Sequence, residues 1–168
     1  DIARRLEGAG ADVVALCTNT MHKVAPAIEA ALRVPFLHIA DPTAQAVKQA
    51  GIGRIGLLGT RFTMEEDFYR GRLIQRHGLD VIVPDPAERE TVHRVIYDEL
   101  CLGKVEERSR KAYRDIIAHL VERGAEGVIL GCTEIAMLVS PADSPVPLFD
   151  TTQLHAVSAV DFALQSDS

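Results

Sequence analysis

The chain alternates between two kinds of hydrophobic pattern. Short apolar runs rich in β-branched residues are bounded by glycine or proline, and between them lie longer stretches whose apolar residues recur every three or four positions. The short runs predict buried strands, and the longer stretches predict helices with one buried face. Strands that alternate with helices in this way are typical of a parallel, doubly wound α/β sheet. The predicted strands are residues 13–16, 36–39, 54–58, 81–83, 128–130 and 148–149.

An internal repeat underlies this alternation. At an offset of 114 positions, residues 1–20 and 115–134 share seven of twenty residues, and each copy is followed by a helix and then by a Val-Pro dipeptide, at 34–35 and at 146–147. Each copy therefore reads helix, strand, polar turn, helix, strand. A general likeness among all helix-to-strand units is the alternative explanation, but the polar residues in both turns favour a true repeat.

Composition narrows the class of protein. The 168 residues are 47% apolar, which is enough for a real core. The formal net charge is −6, so the chain offers no basic surface to a nucleic acid. No apolar run is long enough for a membrane helix, so we expect no membrane partner. The three cysteines are an odd count without disulfide or zinc spacing, which indicates reduced thiols in the cytoplasm.

The polar turns of the repeat lie beyond the carboxyl ends of their strands, where parallel sheets bind ligands. The first turn reads Cys-Thr-Asn-Thr-Met-His over residues 17–22, and the second reads Gly-Cys-Thr-Glu over residues 131–134. The repeat pairs Cys132 with Thr18 and places Cys17 opposite a glycine. A helix N-terminus favours a thiolate, so we expect Cys132 to have a pKa below the free value and to act in catalysis, with packing as the alternative. For Cys17 we favour packing.

These turns resemble the two motifs of the aspartate/glutamate racemase family, Cys-Asn-Thr-x-His and Gly-Cys-Thr-Glu. The stretch Gly-Leu-Leu-Gly-Thr-Arg-Phe-Thr at residues 56–63, followed by Tyr69, also fits, as does Asp150-Thr151 leading to His155. The resemblance covers nearly the whole chain and implies two similar flavodoxin-like domains with the active site in the cleft between them. It also implies racemisation without pyridoxal phosphate or a metal. In the family, one cysteine from each domain flanks the α-carbon, one removing the proton and the other delivering it.

The first motif departs from the family at one position. Thr18 stands where the family has its first cysteine, and Cys17 comes one residue early, so its side chain should point to the other side of the turn. The sequence therefore resembles a Thr/Cys subgroup that acts on L-aspartate and L-glutamate. By that resemblance Cys132 is the strong base and Thr18 returns a proton from the opposite face, each group lying about 3 Å from the proton it moves.

Polar residues of the two turns are candidates for binding the substrate. Asn19, Thr20 and Thr133, with the backbone N–H groups after Thr18 and Cys132, would hold the α-carboxylate and stabilise the charge that builds on it. Glu134 would hold the α-ammonium group, or would otherwise complement the dipole of the helix that follows it.

Further candidates lie outside these turns or at their ends. By the resemblance, Thr60 and Thr63 contact the substrate from the second domain, and capping of the next helix is an equal and compatible role. Arg61 is a candidate cation for the side-chain carboxylate of an acidic substrate, with a solvated surface residue as the alternative. His22 and His155 are candidates for tuning the two sites, because a neighbouring imidazolium favours a thiolate. A histidine satisfied by a backbone carbonyl is the commoner case.

The sequence thus leads to a specific expectation. Residues 1–41 with 146–168 should form a first domain, which lacks an opening βαβ segment before Asp1, and residues 42–145 should form a second. The expected function is cofactor-independent racemisation of L-aspartate and L-glutamate by a homodimer, the dimer by analogy alone. One alternative is another reaction on the same scaffold, such as hydantoin racemisation, maleate isomerisation or arylmalonate decarboxylation. Another is a non-catalytic protein that binds an amino acid.

Overall fold

The computed structural model describes residues 1–165, and residues 166–168, which the sequence analysis assigned to the first domain, lie outside that range. All six predicted strands are confirmed, each within two residues of its predicted ends. The strands are β1 (Val14–Ala15), β2 (Phe36–Leu37), β3 (Arg54–Gly59), β4 (Asp80–Ile82), β5 (Val128–Gly131) and β6 (Leu148–Asp150). The α-helices are α1 (Ile2–Gly8), α2 (Ala25–Glu29), α3 (Ala40–Gln49), α4 (Arg61–Glu65), α5 (Arg70–His77), α6 (Pro86–Asp98), α7 (Glu107–Glu122), α8 (Ile135–Leu138) and α9 (Thr151–Gln165). Short 3₁₀ helices lie at Thr20–Val24, Leu100–Leu102 and Pro141–Asp143.

The strands form two parallel sheets, which confirms the α/β class. Strands β1 and β2 pair with each other, and the other four form a sheet in the order β4-β3-β5-β6. Every pair within both sheets is parallel. Parallel strands need a crossover on one face of the sheet, and the helices of this chain supply it. The carboxyl ends of β3 and β5 consequently lie side by side.

Apolar side chains cover both faces of the four-stranded sheet. Leu57 and Ile129 are register partners and contribute to one core, which also contains residues of α3 and α5. Leu58 and Leu130, one position further along, contribute to a second core with residues of α6 and α7. Successive side chains of a strand point to opposite faces, so a sheet buried on both faces needs the continuous apolar runs seen in the sequence.

The segment from β6 to α9 contacts both of the expected domains, and the division into domains stays a prediction. The prediction grouped residues 146–168 with residues 1–41, but β6 pairs with β5 and forms an edge of the four-stranded sheet. The pairing of β5 with β6 is non-local and cannot be read from either segment alone. Helix α9 then leaves this sheet and packs against α3 and β2, so the segment connects the two sheets.

The internal repeat is visible in the backbone. Gly10 and Gly124 occupy equivalent positions after α1 and α7, and both have a φ of 94°. This left-handed conformation is available to glycine at little cost, and it ends both helices. The residues that follow are also bonded alike, since the N–H of Val14 donates to the carbonyl of Pro35 at 3.0 Å and that of Val128 to the carbonyl of Pro147 at 2.9 Å.

The lengths and hydropathies of the helices were also compared with those of membrane spans. Among residues 1–165, no helix is both long enough and apolar enough to cross a bilayer.

Candidate active site

The two polar turns of the repeat meet at one cavity of about 290 Å³. The first turn contributes Thr18 and the three residues after it, and the second contributes Cys132 and the two residues after it. The structure thus brings the two residues paired by the repeat into the same space. The remaining lining comes from the end of β3 and from the segment around the end of α6, at Thr60, Ile96, Tyr97 and Cys101.

Close packing of two strand ends fixes where the second turn begins. Gly59 and Gly131 are register partners at the carboxyl ends of β3 and β5. A Cβ atom on Gly131 would lie 2.8 Å from the carbonyl oxygen of Leu58, a contact that would force the backbone to shift. Glycine at this position therefore allows β5 to run close beside β3 up to the residue before Cys132.

A hydrogen-bonded chain fixes the Asn19 side chain in the first turn. Its Nδ2 donates to Oγ1 of Thr151 at 3.0 Å, and the Thr151 hydroxyl donates to the carbonyl of Leu130 at 2.9 Å. Both side chains are buried. Because the Thr151 proton is committed to a carbonyl, the Thr151 oxygen can only accept, which sets the orientation of the amide. Among residues 1–165, the amide oxygen of Asn19 has no hydrogen-bond partner.

His22 supports the same turn from behind. The backbone N–H of Ile39 donates to its Nε2 at 3.2 Å, so the ring proton lies on Nδ1, which donates to the carbonyl of Thr18 at 2.7 Å. Burial lowers the pKa of His22 to about 4, although the carbonyl of Thr18 acts in the opposite direction. His22 is therefore neutral near pH 7, and the expectation of an imidazolium that favours a thiolate does not hold at this residue.

A row of threonine hydroxyls joins the first turn to the start of α4. Oγ1 of Thr20 lies 3.0 Å from Oγ1 of Thr60, which lies 3.2 Å from Oγ1 of Thr63. Thr60 also accepts from the backbone N–H of Thr63 at 3.3 Å, so the capping role is confirmed. Thr60 lines the cavity, whereas Thr63 lies behind it and is fully buried.

The second turn concentrates three polar side chains around one carboxylate. The thiol of Cys132 donates to Oε2 of Glu134 at 2.8 Å, and the hydroxyl of Thr133 donates to the same oxygen at 2.6 Å. Burial opposes ionisation of Glu134, but these hydrogen bonds together hold the pKa of its carboxyl group below its usual value.

The expected lowering of the Cys132 pKa is wrong. Burial raises the pKa of the thiol well above its ordinary value, and the hydrogen bond to the Glu134 carboxylate raises it further. The backbone N–H of Glu134 acts in the opposite direction but does not outweigh them. The helix that follows, α8, has only four residues, so its dipole does little to favour the thiolate. Both burial and the carboxylate therefore favour the protonated thiol over the thiolate.

Three other residues considered in the sequence lie away from this cavity. Arg61 is exposed, and its guanidinium forms an ion pair with Glu90 at 2.5 Å. Cys17 and His155 line a separate cavity of about 120 Å³ on the other side of the first turn. Nε2 of His155 donates to the carbonyl of Leu37 at 2.8 Å, as for a histidine satisfied by the backbone. Cys17 and Thr18 thus face different cavities, as the alternation along a strand predicts.

Sequence reasoning missed Ile96 and Tyr97 in the wall of the cavity, and it missed the role of Thr151 in orienting Asn19. One signal was available for the wall. Tyr97 and Cys101 are four positions apart near a helix end, a spacing that places two side chains on one face.

The chain was compared with known protein families and solved structures. Residues 1–159 match the family model described as Asp/Glu/hydantoin racemase. A crystal structure from Yersinia pestis, provisionally assigned as an Asp/Glu racemase, is 59% identical with a TM-score of 0.93, covering 96% of this chain and 70% of that one. An aspartate racemase homologue from Pyrococcus horikoshii is 35% identical with a TM-score of 0.86, at the same coverage.

Another relative is named as an enzyme with a wider range of substrates. The broad-specificity amino-acid racemase RacX of Bacillus subtilis is 26% identical over the full length of this chain and 72% of its own. Glutamate racemases also match, but the chain spans only about half of their length, for example 52% of the enzyme from Persephonella marina.

Proposed function

The chain belongs to the Asp/Glu/hydantoin racemase family and is an amino acid racemase; on that premise we propose that it inverts the α-carbon of L-aspartate and L-glutamate without a cofactor, using Cys132 and Thr18. One observation carries the proposal. Thr18 and Cys132 come from equivalent turns of an internal repeat, and both line one cavity large enough for an amino acid. A two-sided proton transfer needs two such groups on opposite faces of the α-carbon.

In the proposed chemistry the substrate loses one proton and gains another. The Cys132 thiolate removes the α-proton from the L enantiomer and becomes a thiol, and the Thr18 hydroxyl delivers its own proton to the opposite face. Water then returns a proton to the Thr18 oxygen and accepts one from the Cys132 thiol, which restores both groups. Negative charge builds on the α-carboxylate between these steps. Backbone N–H groups of the two turns, with Asn19, Thr20 and Thr133, would stabilise that charge. Thr60 would complete the carboxylate site through its contact with Thr20, and Thr63 would hold Thr60 in place.

The side chain of the substrate is a separate question. The names of the Yersinia and Pyrococcus structures support an acidic substrate. Within residues 1–165, however, no lysine or arginine lines the cavity, and Arg61 is paired with Glu90. A lining without a cation favours a second candidate, a racemase of broad specificity like the Bacillus subtilis relative. A preference for acidic side chains requires a cation that those lining residues do not supply.

The oligomeric state and the cellular compartment are also part of the proposal. We infer a homodimer in the cytoplasm, with residues 1–41 and the second domain closing around the substrate. Free thiols at all three cysteines support a reducing compartment. The hydrogen bond between the hydroxyls of Thr20 and Thr60 joins the first turn to the second domain and would be kept on closure.

Exchange of the α-proton in heavy water tests the proposal. L-Aspartate, D-aspartate, L-glutamate and D-glutamate are incubated with the protein, and deuterium at the α-carbon and the enantiomer ratio are followed by NMR and chiral chromatography. We expect exchange with inversion for both acids, starting faster from the L enantiomers. L-Asparagine and L-glutamine serve as neutral isosteres, and equal exchange with these favours the broad-specificity candidate. Exchange with no amino acid contradicts the proposal, and exchange without inversion removes Thr18 as the second acid.

A further inference from the structure

A separate cavity of about 170 Å³ is lined by the first copy of the repeat and by the segment around α5. The first copy contributes His22 and His38, and the segment around α5 contributes Asp67, Arg72 and Arg76. None of these residues lines the candidate active site. We call this space, defined by its two histidines and two arginines, the histidine–arginine cavity.

His38 brings an unpartnered hydrogen-bond donor to the histidine–arginine cavity. The residue is only 2% exposed, and its Nδ1 accepts from the backbone N–H of Ala40 at 3.2 Å, so the ring proton lies on Nε2. Among residues 1–165, Nε2 of His38 donates to no acceptor. Burial lowers the pKa of His38 to about 3, so the ring is a neutral donor near pH 7. A donor on a buried ring is costly to leave unpaired, which favours a ligand that accepts from it.

Two guanidinium groups lie close enough to the His38 ring to act on it, since the positive charges of Arg72 and Arg76 both lower its pKa. Arg72 is already engaged, because its Nε and Nη2 donate to the two carboxylate oxygens of Asp41, each at 2.7 Å. Arg76 forms no ion pair with any residue that the structure describes. Its planar set of N–H donors is therefore available to an anion in the cavity.

Two carboxylates limit where such an anion can bind. Asp67 lines the histidine–arginine cavity, but it is exposed, so water and salt screen its charge. Asp41 lines a neighbouring cavity of about 210 Å³, which His38 also lines and which has no lysine or arginine among its described lining residues. The histidine–arginine cavity is therefore the more favourable of the two for negative charge.

We propose that the histidine–arginine cavity binds a small oxyanion, the carboxylate or phosphate group of a small molecule. Nε2–H of His38 would donate to one oxygen, and the guanidinium of Arg76 would donate to the others in the paired geometry that arginine forms with carboxylates and phosphates. The inference is independent of the proposed function, because neither residue belongs to the candidate active site and the test measures no turnover.

His22 connects this cavity to the turn that carries Thr18. It lines the cavity, and its Nδ1 donates to the carbonyl of Thr18 at 2.7 Å. A ligand that binds only the folded form stabilises the elements that it contacts. A bound oxyanion should therefore slow the exchange of backbone amides in peptides that cover residues 18–24, with a smaller change in peptides from α7.

The test follows the imidazole signals of ¹⁵N-labelled protein by NMR near pH 7, while inorganic phosphate or acetate replaces chloride at constant ionic strength. We expect the Nε2–H proton of His38 to move downfield and to saturate, because an oxyanion is a strong acceptor. His155 is an internal control, since its Nε2 already donates to the carbonyl of Leu37, and its signals should not move. Saturation by one ion alone identifies which oxyanion the site takes, and it supports the proposal as saturation by both does.

Three exposed residues provide the variants. Arg76→Ala should weaken binding by about tenfold, because it removes charge-assisted hydrogen bonds. Arg5→Ala is the matched control, since Arg5 is also exposed and forms no ion pair among residues 1–165 but lies on α1, and it should leave the affinity unchanged. Asp67→Asn removes the opposing charge and should tighten binding by about twofold or more.

Four outcomes would contradict the proposal. Neither ion may produce a saturable shift at His38, which would leave the cavity without an oxyanion. Equal affinity in the unsubstituted protein and Arg76→Ala would indicate an adventitious ion only, bound elsewhere. Weaker binding in Asp67→Asn would show that the bound group is not an anion in this cavity. A saturable shift without slower exchange in residues 18–24 would remove the connection through His22.

Discussion

The two copies of the repeat have the same backbone and very different surroundings. Their helices end at glycines with the same φ, and the strand N–H groups of Val14 and Val128 donate to the proline carbonyls of the two Val-Pro dipeptides. In the first copy, however, β1 has two residues, of which Ala15 is exposed. In the second copy, β5 has four residues, all buried between two cores. The same local sequence pattern therefore produces a peripheral unit in one place and a central one in the other.

The difference in surroundings explains why the two turns carry different residues. Gly131 lies against the carbonyl of Leu58 because β5 runs beside β3, and a Cβ atom does not fit there. Its counterpart is Cys17, and among the described strands β1 pairs with β2 alone, so a side chain is tolerated at that position. One position later, Cys132 and Thr18 line the same cavity. Equivalent backbones thus place two groups of unequal acidity, a thiol and a hydroxyl, at the cavity. A faster reaction of one enantiomer requires such a difference between the two groups.

The largest expected effect comes from removing the thiol of the second copy. Cys132→Ser replaces the thiol by a hydroxyl, whose far weaker acidity leaves almost no base at neutral pH, so we expect α-proton exchange to fall by about 10²- to 10⁴-fold. Exchange of L-aspartate and L-glutamate in heavy water measures this. Cys17→Ser is the matched control, because Cys17 lines the other cavity, and it should largely spare activity. Comparable losses in both variants would show that the repeat pairs the wrong residues.

As the pH is lowered, the first copy of the repeat should lose stability before the second. Burial lowers the pKa of His22 to about 4 and that of His38 to about 3, from an ordinary value of 6.5. Between pH 6.5 and about 4 the unfolded chain binds more protons at these positions than the folded chain, so the free energy of unfolding falls as pH falls. Asp41 acts at lower pH, because its burial is outweighed by hydrogen bonds from Arg72 and His77, which hold its pKa at about 2.

Hydrogen exchange measured by mass spectrometry can separate the copies in that pH window. Protection factors, corrected for the intrinsic effect of pH, should fall first in peptides that cover residues 18–24 and 36–41. Peptides from α7 and β5 should keep their protection to lower pH. His22→Gln should flatten the pH dependence of the first copy, since it removes one titrating group. Simultaneous loss of protection in both copies would mean that the histidines do not set the acid limit of the first copy.

Much of the fold could be predicted because the signals are local. The strand β3 contains a continuous apolar run from Ile55 to Gly59, and such a run can be identified without knowledge of the neighbouring strands. The pairing of Thr18 with Cys132 also followed from sequence, because the repeat fixes the register of the two turns. The membership of β6 in the four-stranded sheet did not, because it depends on a strand distant in the chain.

The electrostatics of the site could not be predicted for a related reason. Cys132 was expected to be acidic because of its place before a helix, but burial and the carboxylate of Glu134 raise the pKa of the thiol instead. His22 belongs to the same motif as Thr18 and was considered as a cation, yet its burial beside His38, with ring centroids 4.3 Å apart, keeps it neutral. The burial and the rotamer of each side chain determine both pKa values, and the spacing of residues in a motif predicts neither the burial nor the rotamer.

The smallest expected effect comes from making the two copies chemically alike. Thr18→Cys places a thiol in each turn, so that either face of the α-carbon meets a group that can become a base near neutral pH. We expect initial exchange from the D enantiomers of aspartate and glutamate to rise relative to the L enantiomers by about tenfold, which corresponds to about 1.4 kcal/mol of barrier height. Thr18→Ser keeps the hydroxyl and should leave the ratio unchanged. The backbone of the first turn should tolerate both variants, because His22 holds the carbonyl of residue 18 and not its side chain. An unaltered ratio in Thr18→Cys would mean that the preference comes from how the cavity orients the substrate, and the chemical inequality of the two copies would then be without consequence.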